Sequence, residues 1–523
     1  MRTRLQFATS RSNKRLSVRN DWQPKLGDKV VHGPRVKIHP LRRILGIPGL
    51  FSTAYGDLGS SIYYALGLVA LMAMGAAPVA LGIAGIFFVF TALTYAEGTA
   101  MFPEAGGSAS FARHGLSDLM GFISGWSLMF GYIVTISISA YTIPSYLGYF
   151  WEPLKMSPVI HTAAAMGIVA LLMLINVIGV RESSQLNFGL AMLDITTQLL
   201  IIIAAVVLLF NPVVFWQRIT GYWPSTENLI FGIAIAAIAF TGVETISQMS
   251  EEAKRPQEKA PRAYAWVTVA VLVIYAGISV AAFSALTPLE LGTTWVTDPV
   301  AGIAQGISKA VLPSEPAHQV IIIYLLQGLR DALPILVALL AATILFIATN
   351  AGILGISRLA FSLGRFQLIP AELGHVHSRF KTPFIAILVF GLISLILQIP
   401  GFFGPDVFAN LGGLYAFGSM LSFALAHLSI LALRIKKPDI PRPFKLRLNL
   451  KIANRELPLT AILGFLGTGI IWVVVVIMQP YSRWVGFGWL LIGLAIFFLF
   501  RRLKRASPEQ SGAGHEGTTG SQK

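Results

Sequence analysis

The sequence predicts an all-α polytopic membrane protein with about twelve transmembrane helices. Composition is the first observation behind this. The 523 residues are 55% hydrophobic and 12% charged, with a mean hydropathy of +0.69, whereas soluble domains run near about 25% charged. The second is that apolar runs of about twenty residues recur along nearly the whole chain, each able to cross roughly 30 Å of hydrocarbon. The third is the placement of basic residues, which divides the connections between those runs into two sides.

The spans read, in order, as roughly 47–74, 78–102, 118–150, 158–179, 185–210, 228–250, 264–286, 332–356, 383–400, 406–433, 457–479 and 484–500. With the N-terminus inside, Lys155, Arg218, Lys309, Arg330 and Arg483 are the only ones of the 40 Lys and Arg that fall outside. The positive-inside rule is therefore met by twelve spans with both termini cytoplasmic, and a missed or extra span would scramble the partition.

The regions outside the spans are short. Residues 1–44 form a basic cytoplasmic tail, 436–456 a basic cytoplasmic loop, and 501–523 a short disordered tail rich in Gly, Ser and Glu. The net charge of +16 concentrates in the N-terminal tail, Lys254–Arg262, Arg434–Arg455 and Arg501–Arg505. All of these face the anionic inner leaflet, so the lipid bilayer and not a nucleic acid accounts for them. The first forty residues lack an apolar h-region, so no cleavable signal peptide is expected. With no cysteine in the chain, disulfides and thiolate metal sites are excluded.

Two spans carry polar interruptions. In "YGDLGSSIYYALG" Asp57 stands between Gly56 and Gly59, followed by Ser60 and Ser61. In "AFTGVETISQMSEEAKRP" Gly242 lies between Thr241 and Glu244, after an unbroken apolar run. A buried charge or a broken backbone is tolerated at membrane depth only where protein encloses it. Both spans are therefore expected to unwind, at Gly56 and Gly59 in the first and at Gly242 in the sixth. Interrupted spans five apart point to inverted repeats, here 45–210 and 228–435, with a transport site at the midplane. The competing reading is that Asp57 and Glu244 cap ordinary helix ends.

Three further segments identify a resemblance. "YAEGTAMFPEAGGSASF", "FTGVETISQMSEEAKRP" and "TNAGILGISRLAFSLGRFQLIP" resemble signatures of the amino acid–polyamine–organocation superfamily. This resemblance implies a LeuT-like core of ten helices in a 5+5 inverted repeat over 45–435. Two peripheral C-terminal helices follow within 457–500, in the cytoplasmic membrane of a bacterium.

The first-span motif bears on the substrate. Amino acid permeases of the superfamily usually carry Gly-small-Gly-Ile-Phe there, and its backbone amides hold the substrate carboxylate. Here the segment is Gly59-Ser60-Ser61-Ile62-Tyr63, and a carboxylate at Asp57 would repel another carboxylate at low dielectric. The run from Gly56 to Leu66 is similar instead to the first span of Kup-type and KimA-type potassium importers. Asp57 and Tyr64 match their binding carboxylate and tyrosine. On that resemblance Thr135, Thr241, Glu244 and Tyr415 line the same cavity, with potassium or sodium held at Asp57, Tyr64 and Thr241. Each tyrosine and threonine also fits plain helix packing. Two departures stand against the resemblance: Gly131 replaces an acidic residue of the KimA-type third span, and only a short tail is expected after the last span where those importers carry a sizeable C-terminal domain. Asp194, in "LNFGLAMLDITTQLL", is a further intramembrane acid and a second candidate, beside Glu244, for proton coupling.

Enzyme chemistry finds no motif. His375 and His377 lack a third metal ligand nearby, "GFLGTG" at Gly464–Gly469 lies within a span and reads as helix packing, and there is no Walker lysine. The leading expectation is a secondary transporter that imports potassium with a proton, sodium being the other candidate coupling ion. A cation-coupled amino acid permease is the alternative, and a non-transporting membrane sensor the minor one. No cofactor is implied, and a homodimer is compatible with the sequence.

Overall fold

The structure, a computed structural model, describes residues 43–506 apart from 180–183, 311–319, 378, 381, 405 and 453–454. The expected tails 1–44 and 501–523 lie outside the described residues except at their inner ends. Nineteen helices and one small sheet follow in chain order among the described residues.

The chain enters α1 (Ile47–Leu58), tightens into a 3₁₀ turn at Gly59–Ser61 and continues as α2 (Ile62–Ala73). Met74, at φ +49°, redirects it into α3 (Ala77–Met101). Next come α4 (Ser108–Gly115), the buried α5 (Asp118–Leu147), the short α6 (Pro153–Met156) and α7 (Pro158–Ile178). After these come α8 (Ser184–Leu209), α9 (Pro212–Gly221) and α10 (Thr226–Ala236). A broken stretch leads to α11 (Thr245–Gln248) and then to α12 (Pro256–Ala285). Two short connecting helices, α13 (Pro288–Gly292) and α14 (Pro299–Ser308), precede the long α15 (Val320–Arg365). The remaining helices are α16 (Phe384–Gln398), α17 (Val407–Lys436), α18 (Leu459–Met478) and α19 (Pro480–Ala506).

Local sequence explains these ends. Helix α7 is the fullest case. The Ser157 side chain accepts the Ile160 N–H at its N-cap, Pro158 opens the first turn, and Gly179 at φ +80° closes it in the left-handed region. Proline also opens α3, α9, α12 and α14.

Eleven apolar helical stretches are long enough to cross a membrane, and the protein is a multi-pass membrane protein. The first stretch, Ile47–Met101, is 55 residues long and contains the first two expected spans, divided at Met74. Helix α12 begins at Pro256 rather than near 264, because its first turns, "PQEKAPRA", are polar yet helical. Hydropathy sees only the apolar part. The loop expected at 436–456 is not wholly irregular, and the chain is not strictly all-α. Strands β1 (Asn449–Ile452) and β2 (Arg455–Pro458) pair antiparallel, with Asn449 opposite Pro458.

The core is built around α5, which packs against α15 and α17. Its apolar residues are not confined to one stripe, as expected of a helix enclosed on all sides. Close approach needs small residues: a Cβ on Gly418 would stand 2.9 Å from the Gly131 nitrogen. Gly131 is therefore where α17 crosses α5, and a carboxylate side chain there would block that crossing. The run at Gly464–Gly469 serves packing too. A Cβ on Gly464 would meet the His427 ring at 2.2 Å, and one on Gly467 would meet Phe87 at 2.3 Å.

Candidate functional site

The sixth span is physically broken. Ala237–Phe240 tightens into a 3₁₀ turn, Thr241 is extended (φ −81°, ψ 153°), and Gly242 takes φ +109°. That φ belongs to a region L side chains rarely adopt. Space demands glycine as well, since a Cβ there would stand 2.9 Å from both Asp57 Cγ and the Leu58 nitrogen. The break thus lies directly against the polar turn of the first span.

The first span does not unwind as its glycines predict. Gly59 keeps helical dihedrals (φ −64°, ψ −28°), and the chain makes a single 3₁₀ turn. The Ser60 and Ser61 hydroxyls donate back to the Asp57 carbonyl at 2.8 and 3.3 Å, satisfying a carbonyl that the altered register would leave free. Gly59 instead makes room for the Tyr55 ring, 2.6 Å from where a Cβ would lie, while a Cβ on Gly56 would make only ordinary contact.

Tyr275 on α12 joins the two interruptions. Its single hydroxyl proton is shared between the Leu58 carbonyl and, at 2.8 Å, the Ala239 carbonyl. Backbone acceptors released at membrane depth need such partners. Nothing local in "VIYAG" marks this tyrosine, because both acceptors are remote in sequence.

Asp57 and Glu244 meet at this junction, each only 2% exposed. Asp57 Oδ2 accepts the Thr245 hydroxyl at 2.8 Å, while Oδ1 is buried without a hydrogen-bond partner. Glu244 Oε2 accepts the Gly242 N–H at 3.0 Å. Among the described residues neither carboxylate forms an ion pair with Lys, Arg or His. Tyr64 shares a hydrogen bond of 2.9 Å with Ser61, and the Tyr415 hydroxyl lies beside those of Tyr64 and Thr135. Thr135 donates to the Gly131 carbonyl at 3.0 Å and Thr241 to the Ile238 carbonyl at 2.7 Å. The expected residues of the first, third, sixth and tenth spans are therefore gathered. Around Asp57 the donor set is oxygen only, which suits a monovalent cation or an ammonium group alike.

Tyr132 is a member the sequence reading missed. Its hydroxyl is buried without a hydrogen-bond partner and lies near Thr245, which donates to Asp57. Its spacing was the available signal: three residues before Thr135 on α5, it shares that helix face.

Asp194 is not brought to this group. Its Oδ1 accepts the Tyr63 hydroxyl at 2.6 Å, and its Oδ2 accepts Tyr55 at 2.9 Å and the Gln198 amide at 2.7 Å. Tyr55 and Tyr63 bracket the turn at Gly59–Ser61, so Asp194 holds the first span on either side of it. The Tyr146 hydroxyl donates to the Tyr63 carbonyl at 2.7 Å and accepts the Val300 N–H of α14 at 3.4 Å.

The signature segments have structural work of their own. Glu97 on α3 is fully buried and takes a bidentate pair of 2.8 Å bonds from Arg434, together with the Leu446 N–H at 2.9 Å. It ties the 436–456 loop to α3 and α17. Glu251 and Glu252 pair with Arg365 and Arg358 of α15, and Ile44 and Leu45 dock on the Glu252 carbonyl at 2.9 Å. Three segments are thus latched at one end of the molecule. Beside them Glu104 accepts Ser110 and His114. Burial alone would raise its carboxyl, but the His114 and Ser110 hydrogen bonds and the charges of His114 and Arg365 outweigh that and hold it below its ordinary value. His377 closes a turn, its Nδ1 accepting the Arg379 and Phe380 N–H groups at 3.2 Å.

Comparison with known proteins bears on all of this geometry. Residues 45–500 match the family described as amino acid permease. The branched-chain amino acid permease BcaP of Bacillus subtilis (strain 168) is 28% identical over 483 residues, covering 88% of this chain and 94% of that protein. The methylthioribose transporter of the same organism is 24% identical over 463 residues, covering 85% and 90%. Cationic amino acid transporter 3, mitochondrial, of Arabidopsis thaliana is 25% identical over 427 residues, covering 78% and 65%. A multi-pass helical chain whose polar break is enclosed in its core matches this family over most of its length, and it belongs to the amino acid permease family of the amino acid–polyamine–organocation superfamily as a transporter, not an enzyme.

Proposed function

We propose that the protein is a cation-coupled amino acid permease of a bacterial cytoplasmic membrane, with both termini inside. It works by alternating access between two inverted halves, 45–210 and 228–435, with α18 and α19 peripheral. One observation carries this reading: the broken backbone at Thr241–Gly242 lies against Asp57, whose Oδ1 is buried and unpartnered. Unwound backbone beside a polar side chain at the junction of two spans can hold the charged ends of a small solute. The family match and the relatives' names support amino acids over potassium. Proton coupling falls to Glu244, which adjoins Asp57, with sodium as the other candidate coupling ion.

Potassium import is the second reading. The oxygen-only surroundings of Asp57 favour it, while the glycine at position 131 and the family match speak against it. The test is purified protein in liposomes, assayed for uptake of a labelled amino acid panel and of rubidium. Amino acid flux supports the permease, and rubidium flux without amino acid flux supports the second reading. Binding without flux would make the protein a sensor.

A further inference from the structure

The charge at the junction is unbalanced. Asp57 and Glu244 are neighbours with two further acceptor oxygens satisfied only by a hydroxyl and a backbone N–H. Other buried acids of this chain are compensated differently: Glu97 by Arg434 and Arg442, Asp298 by Lys155 at 2.7 Å, and Asp194 by three hydrogen-bond donors. A buried carboxylate without a basic partner is costly unless a proton or a cation joins it. Two positive charges are needed to neutralise the Asp57–Glu244 pair, and among the described residues no Lys, Arg or His pairs with either.

A second, independent feature points at what joins them. The Tyr132 hydroxyl, on a residue 2% exposed, is buried without a hydrogen-bond partner and lies near Thr245, the residue that donates to Asp57. Thr245 fixes one Asp57 oxygen and leaves the other aimed at no protein donor. An ammonium group carries three donors and no acceptor. It can satisfy Asp57 Oδ1 and the lone pair of the Tyr132 hydroxyl together. A substrate carboxylate at the same place would face two like charges in a water-poor site.

We propose that Asp57 Oδ1 and Tyr132 receive a cationic nitrogen of the substrate, and that the site selects solutes of net positive charge, cationic amino acids and amines, over neutral amino acids. A dicationic amine such as putrescine balances both carboxylates, and a cationic amino acid, with a net charge of one, balances one and leaves the other to a coupling proton. A neutral amino acid brings its own carboxylate and leaves the pair uncompensated unless a proton also enters. The charge preference therefore runs from cationic to neutral to acidic, and it deepens the permease reading on which it rests.

The experiment is competition against labelled lysine uptake in proteoliposomes by unlabelled lysine, putrescine, leucine and glutamate, with rubidium uptake measured in parallel. The expected result is that lysine and putrescine compete at concentrations at least about tenfold below leucine, the ratio expected when one hydrogen bond to a charged group is decisive. In Asp57→Asn, checked for monodispersity, that ratio should fall towards one. A transporter that takes leucine as well as or better than lysine overturns the charge preference and leaves the permease reading standing. A charge preference undiminished in folded Asp57→Asn removes Asp57 as its origin and overturns the assignment. Flux of rubidium alone, or of nothing tested, overturns both. If Asp57→Asn does not fold, the wild-type competition order and Tyr132→Phe decide the matter.

Discussion

Gly242 and Asp57 are in contact across the two interrupted spans, so closely that a Cβ on the glycine would stand 2.9 Å from the carboxyl carbon of the aspartate. The backbone of one break and the carboxylate of the other are thus one unit. Glycine is required there twice, by its φ of +109° and by the space.

Gly242→Ala should therefore lower stability by about 1–3 kcal/mol from backbone strain alone and push Asp57 off the break. Thermal unfolding in detergent and uptake in liposomes check this together. Unchanged melting with wild-type uptake would mean that the two spans are not so closely fitted.

Tyr275→Phe removes one hydroxyl and leaves the Leu58 and Ala239 carbonyls short of a donor. The cost should be about 1–3 kcal/mol for the unsatisfied buried groups, with uptake reduced although no residue of the junction itself is altered. A Phe variant with wild-type melting and flux would show that water or another donor replaces the hydroxyl without loss.

Much of this was legible in the sequence, and the remainder has identifiable reasons. The hydrophobic runs located the spans because the bilayer imposes length and apolarity on each. Gly242 was readable as a break because it interrupts an otherwise apolar stretch beside Glu244. The first span misled, since Gly56 and Gly59 suggest unwinding while Ser60 and Ser61 seal the turn with hydrogen bonds to a single carbonyl. Asp194 also misled in part. It is an intramembrane acid, but its partners Tyr55 and Tyr63 lie more than a hundred residues away. Tyr132 and Tyr275 escaped because only folding assigns a role to an isolated tyrosine in an apolar run.

The separation of Glu244 from Asp194 predicts distinct phenotypes. Glu244→Gln should abolish proton-driven accumulation while leaving exchange, because it removes the titrating group next to Asp57. Asp194→Asn should chiefly destabilise, since a carboxylate that accepts three donors becomes an amide that accepts fewer. Proton flux measured with a trapped pH dye separates the two. Loss of proton movement in Asp194→Asn with full movement in Glu244→Gln would reverse the assignment.

The Glu104 cluster sets a pH dependence. Its carboxyl lies below the ordinary value in the fold, so its contribution to stability is present above the unfolded value near 4.5 and is lost as pH falls through the folded one. The latch around Glu104, Glu251 and Arg365 should weaken on acidification below about pH 4.5. Glu104→Gln should remove that part of the dependence while costing on the order of 1 kcal/mol at neutral pH, as befits a partly exposed group. Melting curves for both proteins from about pH 3 to 6, roughly 1.5 units either side of the ordinary value of 4.5, provide the check. Parallel curves would contradict it.

The central claim is that the Asp57 side of the Gly242 break is where a transported solute binds. Solute-evoked current in proteoliposomes on a solid-supported membrane tests it most directly. Wild-type protein should give a transient inward current on addition of lysine, and Asp57→Asn, reconstituted to equal density and monodisperse, should give at least about tenfold less, as loss of a charge-assisted contact implies. An Asp57→Asn current equal to that of the wild type would contradict the account.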